Sequence, residues 1–265
     1  MKRILITGAN SYIGTSFEKY LKENYPDDYV VDTVDMKDGA WREKSFVGYD
    51  SVFHVAGIAH QKETKENAYL YYEVNRDLAI ETAKKAKADG AKQFIFLSSM
   101  SVYGMETGVI TKETKPKPKS HYGKSKWQAE QTITPLDSED FKVCILRPPM
   151  VYGEGCKGNY QALVKIAKIF FLLPDYKNER SMISMENLSA RVRRCMDERL
   201  SGVRFQQDST YICTSEMIAG IRKKLGKSFK TVKLMNPFIR LCVKCTVKGK
   251  KAFGNLIYRG LDDLN

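Results

Sequence analysis

In the first half of the chain, apolar residues come in short unbroken runs, each followed by a stretch of helical periodicity. "KRILIT", "DYVVDTVDM", "SVFHVAG", "QFIFLSS" and "FKVCILRP" read as strands. Between them, "SYIGTSFEKYLKENY", the long "AYLYYEVNRDLAIETAKKAKADG" ending at Gly90, and "YGKSKWQAEQTI" read as helices. Runs that are continuously apolar belong to strands buried on both faces, and strands alternating with helices build a parallel sheet. The predicted fold class is therefore α/β, a doubly wound parallel sheet.

After Pro149 the rhythm loosens. "NYQALVKIAKIFFLL" predicts a helix, "RSMISMENLSARVRRCMDERL" a short strand leading into a helix, and "STYICTSEMIAGIRKKLG" a second copy of that pattern capped by Thr214 or Ser215. These segments divide the chain into a nucleotide-binding domain over 1–150, with 175–212 returning to its sheet, and a small substrate-binding lobe from 151–174 and 213–265. There is no internal repeat and no low-complexity linker.

Composition narrows the class. The chain has 265 residues and is 43% hydrophobic, enough for a substantial core. "MKRILITGAN" has too short an apolar run for a signal peptide, and "IAKIFFLLP" is too short to cross a bilayer, so a cytoplasmic location is expected. The six cysteines show no disulfide framework. Cys242 and Cys245 form a lone CxxC with no histidine near, which reads as two reduced thiols on a basic helix and predicts no metal. The formal charge is +13, and no acid lies between Glu216 and Asp262. That basic stretch, centred on 222–251, suits weak peripheral contact with an anionic membrane, or a solvated face. No nucleic-acid-binding motif accompanies it, so a nucleic-acid partner is not expected.

"LITGANSYIG" runs from a strand through a glycine-containing turn, Gly8 to Gly14, into a helix. Backbone N–H groups in such a turn can approach a pyrophosphate, whose charge the helix N-terminus favours. The cofactor-binding set expected here is Gly8, Asn10, Ser11, Tyr12, Ile13 and Gly14, with Ser11 where a third glycine is usual. Asp35, at the end of the second strand, can accept both hydroxyls of an adenosine ribose and would repel a 2′-phosphate. NAD is therefore expected over NADP, although Lys37 stands close by. Ala56 and Gly57 are small enough to let a dinucleotide lie across the third strand's end. His54 reads as a packed strand residue and His60 as a candidate substrate contact.

Tyr122 and Lys126, in "SHYGKSKWQAE", lie four apart and so on one face of a helix that Ser120 can cap. A phenol beside an ammonium has a lowered pKa, as proton transfer with a sugar hydroxyl near neutral pH requires. With the glycine turn, the acidic strand end, "SSMSVYG" (98–104) and "YGKSK" (122–126), the chain resembles the extended short-chain dehydrogenase/reductases. Within them it resembles the NAD-dependent nucleotide-sugar epimerase/dehydratase family, from residue 1 to about 190. The resemblance implies a Rossmann-type sheet and a nucleotide-diphosphate sugar substrate. It makes Tyr122 the acid/base, and Lys126 the residue that lowers the tyrosine's pKa and holds the nicotinamide ribose. Ser99 would hydrogen-bond the reacting oxygen, with Ser101 a second substrate contact. It also implies an asparagine near the nicotinamide at Asn75, contacts to the sugar diphosphate from Asn159 and Arg180, and a homodimer paired through the long helices. Asn75 reads equally well as a buried structural amide, and Arg147 as structural.

Family dehydratases carry an Asp-Glu pair after the catalytic threonine. Here Met100 and Ser101 occupy those places, and neither can serve as the acid or base for eliminating water. The expected reaction is epimerisation at C4 through a transient 4-keto sugar. The alternatives are a 4-ketoreductase using exchangeable NAD(P)H, favoured by the short C-terminal lobe, and a non-catalytic NAD(H) sensor or scaffold.

Overall fold

The structure is a computed structural model and describes residues 1–59 and 61–261, so His60 lies outside the described residues. The chain begins β1 (Lys2–Thr7), α1 (Tyr12–Asn24), β2 (Tyr29–Val34), β3 (Ser51–His54), α2 (Ala68–Tyr72), α3 (Leu78–Ala88), β4 (Gln93–Leu97) and β5 (Gly108–Ile110). It continues with α4 (His121–Ile133), β6 (Lys142–Leu146), β7 (Met150–Tyr152), α5 (Asn159–Ile169), β8 (Leu172–Pro174), β9 (Met182–Ser184) and α6 (Met185–Asp197). Last come β10 (Gly202–Arg204), α7 (Thr214–Lys224), β11 (Lys230–Val232), α8 (Asn236–Cys245), α9 (Val247–Phe253) and β12 (Leu256–Tyr258). The chain divides into two compact units, and 105–115, 149–184 and 207–265 make the second.

The first unit is built on a six-stranded sheet in the order β10-β6-β4-β3-β1-β2, with every pairing parallel. All residues of β3 and β4 are buried, as strands covered on both faces must be. On one face Phe17 of α1 meets Phe53 edge-on, with ring centroids 5.3 Å apart. On the other, Ala79, Ala83 and Ala86 of α3 and Ala129 of α4 pack with Leu5, Val52, Phe94 and Phe96 in one core cluster. Small residues let these helices lie close to the sheet. Each large side chain so buried contributes about 1.5–3 kcal/mol relative to exposure. Strand order reverses between β1 and β3, and in open α/β sheets the crevice at such a switch point takes the ligand.

Two details depart from the expected pattern. The long helix predicted over 68–90 is interrupted by a π turn at Glu73–Asp77, which carries Asn75 inward to full burial. The stretch that rejoins the sheet is Met185–Gln206 rather than 175–212. Its anchor is buried Gln93, whose Nε2 donates to the carbonyls of Cys195 (2.8 Å) and Leu200 (3.0 Å) while its Oε1 accepts from Ser51 Oγ. β9 instead pairs with β7, keeping residues up to Ser184 in the second unit.

The second unit holds three two-stranded parallel pairs, β5 with β12, β7 with β9, and β8 with β11. Its small core joins Leu163 and Ala167 of α5 to Leu173 and to Ile218 of α7. The cap of α7 comes from neither Thr214 nor Ser215. Asn178 Oδ1 accepts the Thr214 N–H at 2.9 Å, and the Thr214 hydroxyl is taken by the Ala252 carbonyl at 2.6 Å.

Candidate active site and cofactor cradle

The turn after β1 is fixed by backbone bonds at both ends. Gly8 and Ala9 donate to the Val34 carbonyl at 2.9 and 3.0 Å. Ser11 caps α1, its hydroxyl accepting the Gly14 N–H at 3.1 Å. Gly8 has φ +95°, and a Cβ there would stand 2.8 Å from both the Cα and N of Ala56. The turn therefore lies directly against the end of the β3 segment. Gly8→Ala is expected to cost about 1–3 kcal/mol and weaken NAD binding at least tenfold, read by thermal unfolding and calorimetric titration. Asn10 also takes a positive φ, 66°. Asp35 follows β2 directly, and its Oδ1 accepts the Lys37 N–H at 3.1 Å, which fixes its rotamer at the strand end.

Gly57 stands at the other side of the cleft. A Cβ there would come 2.8 Å from Asn75 Oδ1 and 3.4 Å from Lys126 Nζ. Asn75 holds this loop, its Oδ1 accepting from Ile58 N (2.8 Å) and its Nδ2 donating to Ile58 O (3.0 Å) and Ser125 Oγ (3.4 Å). Its amide is thus spent on shaping the loop around Gly57.

Ser120 caps α4, accepting the Gly123 N–H at 3.0 Å. A residue that the sequence reading missed completes the cap. Glu63 accepts the His121 and Tyr122 N–H groups, at 2.9 and 3.0 Å. A helix leaves its first N–H groups without internal partners, and a carboxylate satisfies them with favourable charge. No local motif signals it, because Glu63 lies in a loop 58 residues from His121.

The Ser99 side chain stands close enough to the Tyr122 phenol to favour its ionised form. Burial pushes the Tyr122 pKa above the ordinary phenol value; Ser99 opposes this and nearby Tyr71 adds to it. Ser99 Oγ lies 3.2 Å from Ser101 Oγ and accepts the Ser101 N–H at 3.1 Å. Lys126 occupies the next turn of α4, but its ammonium is directed at the Leu97 carbonyl (2.8 Å) and over the Phe96 ring (4.5 Å to the centroid). The expectation that it depresses the tyrosine pKa is not met, because β4's last carbonyl holds the charge.

Burial brings Lys126 itself down to about 7, with Glu130 one turn on holding it up. Since the unfolded lysine titrates near 10.5, the unfolded chain binds more protons between those two values. The burial cost is fully present below about 7, and stability rises as pH climbs toward 10.5. Lys126→Met is expected to flatten that rise in cofactor-free protein, measured by urea unfolding at about pH 7 and about pH 10.

Glu130 is the second residue the sequence reading missed. It accepts from Ser98 Oγ and, at 3.1 Å to each carboxylate oxygen, from Arg147 Nε. Arg147 also donates to Tyr103 Oη at 2.7 Å, and its guanidinium lies over the Trp127 ring. The network braces the strand-to-turn segment that carries Ser99. His54 is a packed residue: its Nδ1 meets Thr7 Oγ1 at 2.8 Å, and burial, with Lys126 beside it, takes its pKa down to about 3.

Asn159 and Arg180 belong to the second unit. Asn159 is exposed at the first turn of α5. Arg180 donates to the carbonyls of Lys250 (3.3 Å) and Gly254 (2.7 Å), so part of its guanidinium is spent on the fold. Among the described residues, no group of three or more His, Cys, Asp or Glu is arranged to hold a metal ion.

A parallel sheet reversing beside a glycine turn, with a helix presenting Tyr122 and Lys126 one turn apart, defines a Rossmann-type short-chain dehydrogenase/reductase. Residues 4–170 match the NAD dependent epimerase/dehydratase family, and the chain belongs to that family. It is 31% identical over 253 residues to a UDP-glucose 4-epimerase of Vibrio cholerae, covering 85% of this chain and 76% of that one. It is 25% identical over 273 residues to an N-acetyl-alpha-D-glucosaminyl-diphospho-ditrans,octacis-undecaprenol 4-epimerase of Escherichia coli O157:H7, covering 94% and 81%. The fold is shared with a UDP-glucuronic acid 4-epimerase of Bacillus cereus in complex with NAD, at TM-score 0.71 and 19% identity, over 87% of this chain and 85% of that one. NAD is the cofactor, and the residues fit it: the side-chain-free approach at Gly8, the Asp35 carboxylate for ribose hydroxyls, and the open floor at Gly57.

Proposed function

We propose that this enzyme epimerises C4 of a nucleotide-diphosphate sugar, with Tyr122 as the acid/base. The observation that carries the proposal is the placement of Ser99 beside the Tyr122 phenol, with the buried Lys126 one turn further along the same helix. In the proposed reaction, Tyr122 acts as the phenolate, and the C4 hydroxyl proton passes to its Oη as the C4 hydride departs. Ser99 Oγ donates to the sugar oxygen as it becomes a carbonyl. NAD, when bound, takes up that hydride and returns it. After the ketosugar turns over, Tyr122 gives the proton back to O4 and the opposite configuration results. No proton or electron is gained or lost overall.

Lys126 is proposed to hold the nicotinamide ribose. Met100 and Ser101 offer no acid–base pair for eliminating water, which argues against a dehydratase outcome. The C4 reading is supported by the Vibrio cholerae and Escherichia coli relatives, both named as 4-epimerases. A lipid diphosphate as the sugar's carrier is a second reading, supported by the name of the Escherichia coli relative, which aligns with 94% of this chain.

The test is to release and identify the nucleotide from purified protein. The protein is then incubated with UDP-glucose, UDP-N-acetylglucosamine, their C4 epimers, and polyprenyl-diphosphate N-acetylglucosamine. Tightly held NAD with interconversion of a C4 pair supports the epimerase. Protein that consumes added NAD(P)H only with a 4-ketosugar is a reductase instead. Binding of NAD(H) without turnover of any of these marks a sensor.

A further inference from the structure

The second unit carries a surface for which the proposed chemistry has no use. After β11, the 3₁₀ turn Lys233–Met235 runs directly into α8. Leu234, Phe238, Leu241 and Cys245 follow one another at helical spacings of four, three and four, which places them in one stripe. Leu234 is 87% exposed, Phe238 64% and Leu241 58%. Ile239 is the buried residue of α8, so the helix rests on the unit through Ile239 and turns a larger apolar stripe outward. Lys233, Arg240 and Lys244, all exposed, form a cationic stripe one residue out of step with the apolar one, and hence beside it.

A second exposed group adjoins it. Ile169, Phe170, Phe171 and Leu172 lie at the end of α5 and the start of β8, and all four are exposed. Lys230 N–H donates to the Phe171 carbonyl at 2.8 Å, and Lys227 Nζ to the Lys168 carbonyl at 3.0 Å, bringing more cations to the same edge. The start of α8 is fastened to this edge, because Asn236 Nδ2 donates to the Asp175 carbonyl at 2.8 Å.

The charge is as one-sided as the apolar exposure. Residues 217–261 contain twelve Lys and Arg and no Asp or Glu, while the rest of the chain carries 32 cations, of 44 in all, against all 31 acids. Isolated exposed apolar residues are ordinary, but a stripe flanked by cations is not. A purely solvated cationic face has no use for Leu and Phe at these positions. A phosphate backbone would satisfy the cations and leave the aliphatic stripe in water. An anionic lipid surface satisfies both, with apolar side chains entering the acyl boundary and ammonium and guanidinium groups at the level of the lipid phosphates.

We propose that this surface is a docking face for an anionic bilayer, on which the protein lies. Among the described residues no helix is long and apolar enough to cross a membrane. The proposal does not depend on the epimerase reading, since no residue of the Ser99–Tyr122–Lys126 group takes part in it.

The experiment is co-sedimentation of the full chain with vesicles of phosphatidylglycerol and phosphatidylcholine, or of phosphatidylcholine alone. Binding is expected to the anionic vesicles at low salt, to weaken with added salt, and to be much weaker on the neutral ones. Replacing Leu234, Phe238 and Leu241 together by Ser is expected to lower it by at least about tenfold at unchanged salt. Arg240→Glu with Lys244→Glu should lower it as well. Because these side chains are exposed, both variants should keep the parent's melting temperature and NAD affinity. The proposal is overturned by no binding to anionic vesicles at low salt, or by binding that the serine variant leaves unchanged. It is equally overturned by self-association that the serine variant abolishes, or by preferential retention on duplex DNA.

Discussion

Tyr122→Phe is expected to lower turnover about 10²–10⁴-fold while leaving NAD affinity and the melting temperature close to the parent's. The change removes one oxygen. Phe keeps the ring and its packing, so the helix start, held by Ser120 and Glu63 through backbone N–H groups, is untouched. What disappears is the phenol oxygen beside Ser99 that would take the proton from the sugar. The measurement pairs steady-state turnover with calorimetric titration of NAD. Parent-like turnover in this variant would remove the tyrosine from the proposed mechanism. Loss of NAD affinity alongside turnover would make its role structural.

The second large effect is expected at Glu130. Its carboxylate and the Arg147 guanidinium form a buried pair, with side chains 2% and 7% exposed. Glu130→Leu leaves the guanidinium buried with no counter-charge and is expected to cost about 3–5 kcal/mol in urea unfolding. Glu130→Leu combined with Arg147→Met should recover much of that loss, because an apolar pair of similar volume avoids the desolvation of both charges. If the double variant is as unstable as the single one, packing rather than the orphaned charge is responsible. Glu130→Gln reports on the site itself. Glu130 holds the Lys126 pKa up from below, so removing its charge lets that pKa fall further under about 7. The alkaline limb of the pH–rate profile should move to lower pH, an effect a purely structural glutamate would not produce.

The elements that could be read from the sequence are those whose causes are local. β3 and β4 are continuous apolar runs because both faces of the sheet are covered. Ser120 announces the start of α4, and the four-residue step from Tyr122 to Lys126 fixes their common face. What escaped is long in sequence separation or small in size. Glu63 caps α4 from 58 residues away, Asn178 caps α7 from 36 away, and no periodicity encodes either. β7 and β9 are three residues each, too short to show which sheet they join. The π turn around Asn75 shifts the helical pattern by only a single residue, too little to stand out in a 23-residue apolar rhythm, yet it sets the amide against Ile58. The direction of the Lys126 ammonium depends on a carbonyl at the end of another strand, which one-turn spacing cannot foretell.

The two bonds from Gly8 and Ala9 to the Val34 carbonyl tie the phosphate turn to the residue just before Asp35. The two places that would grip opposite ends of an adenosine diphosphate are therefore joined by one peptide plane, and neither can drift without the other. β1 and β2 pair in unbroken register from Lys2 with Tyr29 to Thr7 with Val34, so their separation is set by the sheet rather than by a loop. The adenosine half of a bound cofactor would thus meet a ruler already cut to length. Little ordering entropy is left to lose there on binding, which favours a cofactor retained from one turnover to the next.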